Sequence, residues 1–321
     1  MGSYLLRRSA FLVLSFVGAM LLIFLLLRVL PGDPANALTS IDASAEQIQA
    51  AREQVGSDLP LHQQLTSWIG DLLRLDLGNS FISGASVADD VAQRLVVTLP
   101  LTLISFVIAV VLASLLGYYA AVASHRKSGM LVSGVAQVGV AVPVFWIGIL
   151  LVWVLALELR LFPSGGFPRR QWADPADALR SLFLPTLTIV IVMTASLTRY
   201  VRSAVLDVLD SDYLRNAQAL GSGFGRAFWR HGMRNAAVPV ISILGVELAS
   251  TLLGAVVVES VFTLPGLGSM LTLGIEQHDY PSIQGVLLVT TFLVLLIGFA
   301  ADIVQRFVDP RLRFSLSGAH A

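Results

Sequence analysis

Residues Ser211 to Gly221 read SDYLRNAQALG, a short mixed polar and apolar segment standing alone between two long apolar runs. Tyr213, Leu214, Ala217 and Leu220 recur at helical spacing, with Asp212, Arg215, Asn216, Gln218 and Ala219 between them. The spacing predicts one short amphipathic helix. Ser211 or Asp210 can cap its start, Asp212 suits the positive first turn, and Gly221 is the left-handed residue that ends helices. A helix this short is marginal alone in water, so it is expected to rest on a partner surface. A GSGFG turn at Gly221–Gly225 follows, and then a basic run, Arg226, Arg230, His231 and Arg234.

The surrounding chain dictates where that helix sits. It has 321 residues, 55% of them hydrophobic and 13% charged, with a mean hydropathy of +0.78. That is too apolar for an ordinary soluble protein and reads as an all-α polytopic membrane protein. Apolar runs at Ser9–Leu27, Leu95–Ala123, Met130–Leu157, Leu182–Thr198, Ala236–Val258 and Val286–Val304 each have the length to cross a bilayer, giving about six spans. The first run follows Arg7 and Arg8; it exceeds a signal-peptide core and is followed by Arg28, so it is read as a retained span. Formal net charge is zero, so total charge suggests no nucleic-acid partner. There is no cysteine, which excludes disulfides, thiolate metal sites and thiol nucleophiles.

Between the first two runs the chain turns polar and acidic. Helices are expected at Ala45–Val55, with a Ser44/Gln47 capping box and Gly56 at its end, and at Leu61–Leu77, with Leu61, Leu65, Trp68, Ile69, Leu72 and Leu73 on one face. Neither spans. Pro100, Pro143, Pro185 and Pro239 lie near or within the runs, and glycines at 117, 134, 139, 148, 245, 254 and 298 permit close helix contact.

Orientation follows from the arginines. Arg7, Arg8, Arg126, Lys127, Arg199, Arg202, Arg215, Arg226, Arg230, Arg234, Arg306, Arg311 and Arg313 fall on one side, taken as the cytoplasm, which puts both termini there. Arg160, Arg169, Arg170 and Arg180, in the loop after the third run, oppose this assignment. The resulting organisation is a first span at 1–30, an extracytoplasmic segment at 31–93, a core at 94–307 containing five spans and a cytoplasmic connection at 207–235, and a cytoplasmic tail at 308–321.

Enzyme readings fail on required residues. A P-loop needs Gly-Lys-Ser/Thr, and Lys127, the one lysine, follows Arg126. There is no H-E-x-x-H helix and no G-x-S-x-G elbow, so an intramembrane hydrolase is a weak alternative. No internal repeat supports a secondary transporter. Two acids, Glu247 within the fifth run and Glu259 at its outer end, stand where charge is costly and commonly functional.

Nine motifs in order carry a resemblance: PGDP at Pro31, DLGNS at Asp76, VPVFWIG at Val142, LFPSGG at Leu161, SDYLRNAQALG at Ser211, RNAAVP at Arg234, GAVVVESVFTLPGLG at Gly254, HDYP at His278 and DPRLR at Asp309. Together they resemble the permease subunit of bacterial ATP-binding-cassette importers of the dipeptide, oligopeptide and nickel branch, over almost the whole chain. The resemblance implies a type I importer permease fold in the cell membrane, without cofactor or metal and without enzymatic activity of its own. Implied partners are a second, related permease, two cytoplasmic ATPase subunits and an extracytoplasmic binding protein. Asp212 to Gly221 is implied to be the coupling helix that inserts into an ATPase groove. Glu247 and Glu259 are candidate substrate-pathway residues, the alternatives being a structural hydrogen-bonding role for Glu259 and, for Glu247, a bond to a neighbouring Ser or Thr. The substrate is expected to be a peptide, with nickel or another small solute as the alternative. Leu220, where the family commonly has a basic residue, and Gly298, where Asn is usual, depart from the pattern.

Overall fold

A computed structural model of the chain describes residues 2–29, 35, 38 and 44–308. The PGDP stretch, and the tail with DPRLR, Arg311 and Arg313, lie outside the described residues. Among the described residues the secondary structure is helical, with one isolated bridge between Asn79 and Ser86. The helices are α1 (Gly2–Val29), α2 (Ala45–Val55), α3 (Leu61–Leu73), α4 (Val87–Val122), α5 (Lys127–Ala141), α6 (Val144–Leu151), α7 (Pro175–Leu209), α8 (Asp212–Ala219), α9 (Phe224–Ala227), α10 (Met233–Val261), α11 (Leu267–Gln277) and α12 (Tyr280–Val308). The chain forms two compact units, one from Met1–Leu99 with Thr263–Leu295 and one from Pro100–Phe262 with Leu296–Ala321.

In the first unit, α2 starts and stops as its residues dictate. Ser44 and Gln47 form the capping box, and Gly56, at φ 69°, donates its N–H to the Arg52 carbonyl. The next helix is shorter than the expected Leu61–Leu77: α3 ends at Leu73 because Leu75 turns to φ 60° and Asp76 N–H bonds back to the Asp71 carbonyl. Trp68 of α3 stacks on Phe24 of α1 at 5.6 Å, while Leu61 and Leu73 stay exposed. Val87 and Val91 of α4, Leu267 and Met270 of α11 and Val286 of α12 form one core, and Ile23 and Leu27 of α1 with Tyr280 and Ile283 of α12 form another. The helix α11 carries no spanning run and was not expected. Its first N–H is taken by the Thr98 hydroxyl at 2.9 Å, and His278, at φ 55°, closes it.

Asp279 ties this unit together. Its carboxylate is 4% exposed and accepts from the Ser80 hydroxyl at 2.6 Å, the Phe81 N–H at 2.9 Å and the Ser282 hydroxyl at 2.7 Å. The DLGNS and HDYP motifs, about 200 residues apart in the chain, therefore meet at one buried carboxylate.

In the second unit, α7 is the helix around which α5, α6 and α10 pack. Buried residues make up 61% of its most apolar window, against 11% for α10. It is also longer than its apolar run. Asp174 caps it by accepting from the N–H groups of Ala176 and Asp177, Pro175 occupies the first position, and the helix continues to Leu209 over 35 residues, about 52 Å. Pro100, Pro185 and Pro239 lie inside continuous helices.

The third expected span, Met130–Leu157, is broken. The chain bends by 100° between α5 and the helix that starts at Val144. Val142 is held at φ −83°, ψ 126°, the extended conformation that a following proline imposes, and Pro143 has no N–H for the Gly139 carbonyl. After α6 the helix widens into a π-helical stretch from Val152 to Glu158. Among the described residues, five continuous helices are thus long and apolar enough to cross a membrane, and six if the bent pair counts as one. Glycines hold the contacts. A Cβ at Gly117 would lie 2.6 Å from Val201, one at Gly139 2.8 Å from Ala195, one at Gly148 3.2 Å from Phe262 and one at Gly245 2.4 Å from Ala301, whereas Gly134, Gly254 and Gly298 face open space.

Candidate functional site

The segment 211–221 folds as α8 followed by a two-bond C-terminal cap. Gly221, at φ 89°, donates to the Gln218 carbonyl at 2.9 Å and Ser222 donates to the Ala217 carbonyl at 3.1 Å, the paired bonds of a Schellman end. At the start Ser211 occupies the cap position, but its hydroxyl donates backward to the Val208 carbonyl and does not cap the new helix. Arg215 reaches back to the Asp210 carbonyl at 2.6 Å, so α8 is fastened to the end of α7.

The apolar stripe read from the spacing divides in two. Leu214 is 2% exposed and packs with Val205, Val208, Ala227, Phe228 and Ala236, with Ala217 partly buried on the same cluster. Tyr213 is 39% and Leu220 89% exposed, with Asp212, Arg215, Asn216, Gln218 and Ala219 also on the outside. The physical reason is the connection: α8 follows α7 within three residues and α9 begins three residues after Gly221, so one flank must cover the ends of its own spans. Ala217 and Leu214 consequently belong to that cover.

The cover reaches three long helices. Phe228 is fully buried, 5.2 Å from the Tyr118 ring of α4, and belongs to the π-helical turn Phe228–Gly232 that leads into α10. Ala121 of α4, Val201 of α7 and Ala236 of α10 complete the cluster. Packed side chains thus join α8 to the ends of α4, α7 and α10.

The two intramembrane acids part company. Glu247 lines a cavity of about 300 Å³ together with Val140 and Val144 on either side of the helix break, Met193 and Ser196 of α7 and Thr251 of α10. Its carboxylate accepts the Ser196 hydroxyl at 2.8 Å. Irregular backbone within a span is tolerated where it is buried in protein or lines a cavity, and Val140 and Val144, which flank the break, line this one. Glu259 is fully buried, engaged within the protein, and not on the cavity wall. A neighbouring Ser or Thr is one of the partners expected for Glu247, but which one is not legible, because an isolated serine in an apolar run carries no signal by itself. The LFPSGG loop is anchored in this unit too, as Gly166 N–H donates to the Phe262 carbonyl at 2.8 Å and Phe162 stacks on Phe183 at 4.1 Å.

Comparison with known proteins shows the family and the fold. The family described as binding-protein-dependent transport system inner membrane component matches residues 109–314, and the N-terminal family of binding-protein-dependent transport system membrane components matches residues 1–102. The glutathione transport system permease protein GsiC of Escherichia coli strain K12 is 35% identical over 314 residues, 98% of this chain and 100% of that protein. Its namesake in Shigella flexneri serotype 5b is 34% identical over the same shares. Among solved structures, the MetNI methionine ABC transporter in inward-facing conformations shares the fold with a TM-score of 0.57 at 17% identity, over 68% of this chain and 96% of that one. An amino acid ABC transporter with histidines does so at 0.54 and 16% identity, over 68% and 94%. The chain belongs to the family of inner-membrane components of binding-protein-dependent transport systems, as a permease subunit in the dipeptide, oligopeptide and nickel branch of ABC importers.

Proposed function

We propose that this chain forms one half of a transmembrane pathway for short peptides and that α8 is the element through which two cytoplasmic ATPase subunits drive it. The observation that carries the reading is α8 itself, a short helix capped at its C-terminal end, with Leu214 anchored on the ends of three long helices and Tyr213 and Leu220 left open. ATP binding by the ATPases draws paired coupling helices together and opens the pathway to a binding protein on the far side; hydrolysis resets it. A second permease, related but not identical, supplies the other half. Both termini and the 207–235 connection are cytoplasmic and 31–93 is extracytoplasmic, which makes the bent pair α5/α6 a single crossing.

The peptide substrate is supported by two facts. Relatives covering the full length are named for glutathione, itself a peptide, and the cavity at Glu247 combines apolar walls with one acid. In this assignment Glu247 belongs to the pathway, and Glu259, fully buried within the protein, is structural. The test is uptake into proteoliposomes holding the complete transporter and its binding protein. ATP-dependent accumulation of trialanine or glutathione is expected. Accumulation of nickel with neither peptide taken up would replace the peptide reading.

A further inference from the structure

Within the cavity bounded by α5, α6, α7 and α10, Glu247 is the only ionisable residue among those that line it. A carboxylate offers about four acceptor positions, and the hydrogen bond Glu247 receives is that from Ser196. Thr251, one turn away, already uses its hydroxyl on the Glu247 main-chain carbonyl at 2.7 Å. No lysine, arginine or histidine lines the cavity, and among the described residues Glu247 forms no ion pair. A charged side chain within a span costs about 2.5–3.5 kcal/mol on insertion scales, and on these walls the Ser196 hydroxyl meets it but no cation does.

A second observation points the same way. Val140 lies in the last turn of α5, on the cavity wall, and that helix ends at the break where Pro143 withholds a donor from the Gly139 carbonyl. The C-terminal end of a helix carries partial negative charge. Carboxylate and helix end thus favour a cation on a wall that is mostly apolar, with Val144, Ile189, Val192 and Val258 beside the hydroxyls of Ser250 and Thr251. The volume, about 300 Å³, is at the small end of ligand sites, which run from about 300 to 1,000 Å³.

We propose that this cavity binds a primary ammonium group carried on a small apolar body, with Glu247 as the counter-ion and Ser196 holding the carboxylate in place. If the peptide reading above holds, on which this clause rests, the group is the amino terminus of the transported peptide.

The test uses the purified permease–ATPase complex without its binding protein, followed by thermal unfolding. Millimolar n-butylammonium chloride and trialanine raise the unfolding temperature of the wild-type complex, whereas n-butanol and N-acetyltrialanine do not. Glu247→Gln retains an oxygen for Ser196 but no charge, so it assembles, unfolds without ligand at a temperature no lower than that of the wild type, and weakens the ammonium response by about tenfold or more. Ser250→Lys, on the exposed part of the cavity wall, delivers an ammonium internally and abolishes the response. Equal responses of wild type and Glu247→Gln, an equal response to n-butanol, or no response of the wild type overturns the proposal. So does failure of Glu247→Gln to assemble, which would make a cation of the second permease the partner. A response to n-butylammonium without one to trialanine supports the ammonium site and removes the peptide reading alone.

Discussion

At the scale of single residues, Asp279 holds more structure than any other polar side chain described above. Three donors converge on a carboxylate that is 4% exposed, and two of them come from the loop at Ser80 and Phe81. Ser80 in turn accepts from the N–H groups of Ile82 and Ser83, so the loop is closed around the same point. Hydrogen bonds to a charged group contribute about 1.5–3 kcal/mol each, and stranding buried donors costs a similar amount. Asp279→Ala should therefore destabilise the protein by about 3 kcal/mol or more and open the loop 76–86 to proteolysis. Thermal unfolding and limited digestion of the purified protein check both. A variant with unchanged digestion would show that the loop is held by its apolar contacts instead.

At the scale of elements, α8 yields a paired prediction. Leu220 is 89% exposed, so Leu220→Glu meets water in the free chain and costs almost nothing there, but it places an unpaired charge at an ATPase interface, where desolvation is costly. It should accumulate normally and lose ATPase co-purification and substrate-stimulated hydrolysis. Leu214→Glu puts the same charge into the cluster of Val205, Val208 and Phe228 and should lower stability by several kcal/mol, read as loss of folded protein before assembly. Normal coupling by Leu220→Glu would demote α8 to a surface turn. The α8 helix and its glycine end were legible in SDYLRNAQALG because periodicity and capping are local. Which half of the stripe faces inward was not, since that depends on where the ends of α4, α7 and α10 lie.

At the scale of the whole molecule, the open quantity is topology. The arginine distribution puts 31–93 outside and 207–235 inside, while Arg160, Arg169, Arg170 and Arg180 pull the other way. The chain has no cysteine, so single cysteines report position without background. An impermeant thiol reagent should label Ser57→Cys in intact cells and label Ser211→Cys after the membrane is opened. Labelling of both from outside would make α5/α6 a re-entrant pair with both segments on one face.

What the amino-acid sequence determined by itself is whatever a few neighbouring residues decide. Apolar runs of spanning length, the Ser44/Gln47 box, Gly56 and Gly221 as helix ends, and the ordered motifs that mark the family all rest on composition and local backbone preference. Boundaries that charged or capping residues extend, such as the start of α4 at Val87 and of α7 at Pro175, were readable only in part, because hydropathy stops where the membrane does and the helix does not. Only the tertiary structure decided that Pro143 bends its span by 100°, whereas Pro100, Pro185 and Pro239 are absorbed into continuous helices. The same holds for the meeting of Glu247 with Ser196 across 51 residues and of Asp279 with Ser80 across 199. A proline's effect and a carboxylate's partner are set by which neighbours can satisfy the freed backbone or the charge, and those neighbours come from elsewhere in the chain.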